Sequence, residues 1–104
     1  MDKDLTKRVS ERLDELVDEE TTRKFGELNI VTDVSEAQVG SLLIRFRTLS
    51  AYSPTAVDIG KSIRDAAMSV DGVKSVRVEC GGHMLDELVD IIVNGDPRKP
   101  KKTK

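Results

Sequence analysis

Residues 41–80 constrain the fold more than any other stretch. SLLIRFRTL (41–49) alternates, with Leu42, Ile44 and Phe46 on one side and Arg45 and Arg47 on the other. That period of two is the signature of a half-buried strand. A Ser-Pro pair follows at 53–54. From there Ala56, Ile59, Gly60, Ile63, Ala67 and Val70 recur at helical spacing, which predicts a helix from Ser53 or Pro54 to near Val70. Asp71-Gly72 is a turn signal, and Val73–Cys80 alternates again with Val76, Val78 and Cys80 on one side. If the two strands pair in parallel, the crossover between them through the helix should be right-handed.

The flanking segments complete the pattern. Leu5, Val9, Leu13, Leu16 and Val17 predict an amphipathic helix over about 3–18, and DEETTRKFGE (18–27) breaks it, with Gly26 as the turn residue. In LNIVTDV (28–34), Leu28, Ile30, Thr32 and Val34 share one side. SEAQVG (35–40) then reads as a short connection ending at Gly40, so 28–34 and 41–49 form an antiparallel hairpin with one wet face. Gly81-Gly82 breaks the last strand. MLDELVDIIV (84–93) is a third helix, although its β-branched end (Ile91, Ile92, Val93) also suits a strand. The predicted order is α-β-β-α-β-α. It describes an α+β fold, a two-layer α/β sandwich in which a small mixed sheet carries helices on one face.

Charge divides the chain in two. Residues 1–95 hold 12 Lys and Arg against 18 Asp and Glu, whereas 96–104 hold five basic residues against one acid. One domain over 1–95 with a basic tail over 96–104 follows, and the tail's composition predicts disorder. An acidic body repels polyanions, so any nucleic-acid contact falls to the tail. With no Trp, one Tyr and two Phe there is little surface on which bases could stack. MDKDLTKRVS lacks the apolar core of a secretory leader, and no apolar run approaches the roughly 20 residues that span a bilayer. A single cysteine, Cys80, excludes an internal disulfide. These features predict a cytoplasmic protein without membrane partners.

Candidate chemistry sits at few places. Gly60-Lys61-Ser62 resembles the end of a phosphate-binding loop, but Thr55 stands where the loop's first glycine belongs, and Gly60 falls inside the predicted helix. A close-packing glycine beside two exposed polar residues is the simpler reading. Ser53 caps the helix and Pro54 opens it; as a nucleophile Ser53 has no G-x-S-x-G turn and only one His in the whole chain to serve it. Cys80 and His83 form C-x-x-H, both metal-ligand types, yet two ligands complete no tetrahedral site unless a homodimer brings two pairs together. Asp18, Glu19 and Glu20 could hold a hard cation, although a carboxylate run after a helix usually marks a solvated end.

A strand ending in Thr48-Leu49-Ser50, a short loop, X-Pro at a helix start and then DGVKSVRVE (71–79) resembles the iron–sulfur cluster assembly domain family, SufT-type and PaaD-like. The family's GV-x-x-V-x-V pattern is matched by Gly72, Val73, Val76 and Val78. Asp18-Glu19-Glu20 and Ile30-Val31-Thr32-Asp33 are similar to its Asp-Pro-Glu and I-V-D-x-G runs. The resemblance spans about residues 5–93. Ser53 departs from it, standing where the family carries cysteine, and an alcohol is a poor ligand for iron.

The resemblance implies a non-catalytic iron–sulfur cluster assembly or adaptor protein, not an enzyme, acting on assembly or client proteins. Its functional surface would comprise Thr48, Tyr52, Ser53 and Pro54, with Cys80 and His83 as the metal-binding candidates. The monomer would hold no cofactor of its own, and a transient cluster, if one forms, would bridge two chains or borrow ligands from a partner. The rival is a small KH-like nucleic-acid module using the basic tail, although no basic G-x-x-G loop is present. A hydrolase using Ser53 ranks last.

Overall fold

The computed structural model describes residues 3–19, 21–50, 52, 54–84 and 86–95; Glu20, Ser53 and the basic tail lie outside them. Helix α1 spans Lys3–Asp14, with Asp4 in its first turn and Arg12 in its last, each complementing the helix dipole. Leu5, Val9 and Leu13, four residues apart, form its buried stripe. The helix stops four residues before the expected end, because residues 16–25 fold back on themselves. The amide of Asp18 donates to Arg23 O, that of Thr22 to Asp18 O and that of Phe25 to Leu16 O. Asp18 is itself buried, its Oδ2 accepting both the amide and the hydroxyl of Thr21 at 2.9 Å. The expected solvated carboxylate run is therefore part folded turn, with Glu19 exposed. A one-turn helix, α2 (Phe25–Leu28), follows and buries Phe25. Gly26 lies inside α2; the turn residue is Asn29, at φ 54°.

Strands β1 (Val31–Gln38) and β2 (Ser41–Arg47) form the antiparallel hairpin, and β3 (Ser75–Gly81) pairs with β2 in parallel, giving the order β1-β2-β3. Leu42, Ile44 and Phe46 align with Val76, Val78 and Cys80, as their alternation requires, and all six are buried. The register of β1 corrects the expected one. Val31 pairs with Phe46 and Asp33 with Arg45, so Thr32 is an extra residue at a bulge, exposed instead of core-facing. A second irregularity falls between Glu36 and Gln38.

The strand also runs through what read as a connection, leaving only Val39-Gly40 as the turn. The alternation is hidden there because a core-facing position is taken by Glu36, buried with its Oε2 accepting the Gly40 amide at 2.7 Å. Gly40 has φ +80°, and its carbonyl accepts the amides of both Lys74 and Ser75.

Helix α3 (Ala56–Met68) starts two residues after Pro54, with the Thr55 carbonyl taking the Ile59 amide. Ala56, Ile59, Gly60, Ile63 and Ala67 are buried as expected, joined by Ala66, while Val70 is half-buried beyond the helix end. Residues 86–94 settle as a helix, α4 (Asp86–Asn94), burying Val89 and Val93. The α-β-β-α-β-α order holds, with α2 as an added turn. Arg45, Arg47 and Arg77 are exposed on the sheet face away from the core. Among the described residues no helix is long and apolar enough to cross a membrane.

Candidate functional site

Arg47 pairs with Gly81 at the last rung of the parallel ladder, so the chain leaves β2 and β3 at the same end of the sheet. The residues singled out from sequence gather around that end. Arg47 anchors it, its Nε and Nη2 donating to the carbonyls of Asn29 and Leu28. Thr48 is not on the surface: it is 6% exposed, and its hydroxyl donates to Ser50 O at 2.8 Å. It braces the loop from within. Ser50 Oγ in turn accepts the Tyr52 amide. Tyr52 stands 71% exposed, and Leu49 and Pro54 are exposed beside it in sequence. Ser53, with its proposed cap, falls outside the described residues, and Thr55 occupies the N-cap position, where its side chain does not cap the helix.

On the β3 side, Cys80 is buried and its thiol is pushed up to about 12. Burial is the main cause; the carboxylates of Asp86 and Asp90 and a hydrogen bond with Asp86 add to it. The thiol is therefore neutral at pH 7, a poor nucleophile and a poor metal donor. His83 is half-buried, and its amide donates to Asp86 Oδ1 at 2.8 Å. The Cys80 thiol thus faces the acidic first turn of α4, to which the His83 backbone is tied. Among the described residues no three His, Cys, Asp or Glu side chains converge as a metal-binding group. The donor set at Cys80 and His83 does not fit a resident iron–sulfur cluster, which takes four ligands, mostly thiolates.

Gly60-Lys61-Ser62 is no phosphate cradle. Gly60 is buried inside α3, where backbone amides belong to the helix ladder, while Lys61 and Ser62 are exposed. The latter two line a recess of about 370 Å³ together with Asp18, Glu19, Asp58 and Asp65. Four carboxylates against one ammonium group repel a phosphate.

Sequence reasoning passed over the two side chains with the most consequential bonds. Asn94 Oδ1 accepts the Val78 amide at 2.8 Å, while its Nδ2 donates to Val78 O and to Asp90 O. Asp90 Oδ1 accepts the Cys80 amide at 2.7 Å. β3 lies at the edge of the sheet, so α4 supplies with side chains what a fourth strand would supply with backbone. The only sequence signal was the i, i+4 spacing of Asp90 and Asn94 beside the buried Val89 and Val93.

The position has a cost. Burial raises the Asp90 carboxyl above its ordinary value, an effect that the Cys80 hydrogen bond partly offsets. A raised folded-state value means that ionisation opposes folding. Asp90→Asn, which keeps the acceptor, is expected to match or exceed wild-type stability at pH 7. Its advantage should vanish as pH falls below the ordinary carboxylate range, where both states are protonated. Urea titrations at pH 7 and pH 3 check this; a less stable variant at pH 7 would show that the charge itself holds the edge.

No protein-family model matches this chain, and no curated protein matches it.

Proposed function

We propose that this chain is a non-catalytic assembly or adaptor protein of the iron–sulfur type that works through protein contacts and holds no cluster of its own. One observation carries the reading. The end of the sheet where β2 and β3 both finish presents apolar side chains to solvent: Leu49 and Tyr52 after β2, and Met84, 66% exposed, after β3. Exposed apolar groups brought together at one end of a fold mark a contact surface. The element order and the helix-to-strand segment Gly72–Val78 are those of the resemblance, which supplies the iron–sulfur context. Fold alone would not. The neutral, buried Cys80 supports action by contact over ligation by this residue.

The test is genetic. Cells lacking the chain are expected to lose iron–sulfur enzyme activities under iron limitation while the enzymes' polypeptides remain at normal levels. Wild type and Cys80→Ser should restore the activities; Tyr52→Asp combined with Met84→Asp, with the fold confirmed by circular dichroism, should not. Unchanged iron–sulfur activities in the deletion strain would refute the proposal.

A further inference from the structure

Helix α4 packs on both β3 and α3, through a narrow apolar seam and one set of side-chain bonds that would break together if the helix lifted. Its apolar anchorage is Val89 and Val93, whereas Leu88 and Ile92 remain 49% and 46% exposed. Val93 meets α3 at Gly60, where an added Cβ would lie 2.7 Å from Val93 Cγ2. Its polar anchorage is the set of bonds from Asp90 and Asn94 to Val78 and Cys80. Four of its nine residues (Val89, Ile91, Ile92, Val93) are β-branched, which lowers helix propensity. Left-handed glycines flank it, Gly82 at φ 79° and Gly95 at φ 91°, with nothing near their Cβ positions. A helix of low propensity, preceded by Gly82 and followed by Gly95, and held to an edge strand by side-chain bonds, can open locally while the rest of the fold stays closed.

We propose that α4 is a latch on the β3 edge that lifts as one unit while the remainder of the sheet stays folded. Lifting uncovers three groups in one step: the Val78 amide, the Cys80 amide and the Cys80 thiol. The closed form protects the open edge from pairing with other strands. The open form offers that edge, and a thiol relieved of burial and of the Asp86 and Asp90 carboxylates.

Native-state amide exchange in the full chain, run alongside labelling of Cys80 with an aromatic disulfide reagent, tests the latch. The Val78 and Cys80 amides should share one opening constant, larger than that of Ile44 and Phe46 in β2, and thiol labelling should report the same constant. Asn94→Ala should raise all three together by roughly tenfold or more, because its half-buried amide makes three hydrogen bonds. A staple made by Gly60→Cys with Val93→Cys, in a Cys80→Ala background, should slow Val78 exchange toward the global rate when oxidised and release it on reduction. Exchange of Val78 and Cys80 only through global unfolding in the wild type would overturn the latch. So would an oxidised staple that leaves the Val78 amide unaffected.

Discussion

Raising the pH from 9 to 12 is expected to remove stability through Cys80 alone, with about 3 kcal/mol as the upper bound before solvent screening reduces it. The folded-state thiol sits at about 12 against an ordinary value of 9.0. A raised value favours the folded state's protonated form, so the effect is absent below pH 9, where thiols in both states keep their protons. Above pH 9 the unfolded chain ionises and the folded chain does not. Stability then falls by about 1.4 kcal/mol per pH unit until the folded thiol titrates. Other groups also titrate in that window, so the informative quantity is the difference between wild type and Cys80→Ala in urea titrations from pH 8 to 11. The variant should be slightly the less stable at pH 8, through a lost buried sulfur, and the more stable by pH 11. Parallel curves would mean that the thiol ionises in place, and that burial and the Asp86 and Asp90 carboxylates do not govern it.

Gly60→Leu is expected to cost about 3 kcal/mol or more, the upper range for forcing side-chain bulk into a packed core. A Cβ on Gly60 would lie 2.7 Å from Val93 Cγ2 and 3.3 Å from Phe46 Cζ, so with Val93 in place a side chain as large as leucine wedges α4 and β2 away from α3. Gly60→Ala should cost less, because the gain in helix propensity of roughly 1 kcal/mol offsets part of the crowding. Lys61→Ala, on the exposed side of the same turn, should stay within about 0.5 kcal/mol of wild type. Thermal and urea denaturation of the three variants check the ranking. A tolerated Gly60→Leu beside a damaging Lys61→Ala would return the triplet to the list of functional motifs.

Much of this fold could be read from alternation and spacing, and the failures share a cause. β2, α3 and β3 keep their apolar residues in strict period, because both partners of the parallel pair bury the same face. β1 does not. Its bulge at Thr32 shifts the phase by one residue, and buried Glu36 occupies a position that pattern reading assigns to a loop. The early end of α1 was hidden in the same way, because Leu16 and Val17 keep the helical spacing after the helix has ended. Buried Asp18 there serves a turn whose bonds are all local.

The site was legible by location more than by role. Tyr52 and Pro54 are exposed at the helix approach, but Thr48 is turned inward, the Cys80 thiol faces carboxylates, and His83 is tied to Asp86 through its backbone amide. Asp90 and Asn94 could not be found in advance, because their importance comes from lying against an edge strand. Edge position is a property of the sheet, not of any window of sequence.

The turn glycine of the hairpin has a consequence for the order in which the chain assembles. Gly40 gives its amide to Glu36 and its carbonyl to Lys74 and Ser75, so the groove that receives the start of β3 exists only after the β1–β2 turn has closed. The hairpin is local in sequence and its closure is rapid; docking β3 must first bring distant residues together across the whole α3 crossover. The parallel ladder, whose register runs from Ser41 and Ser75 to Arg47 and Gly81, is then expected to grow from the Gly40 end. Contacts at the far end, those of α4 among them, form last and set how fast the molecule comes apart more than how fast it folds.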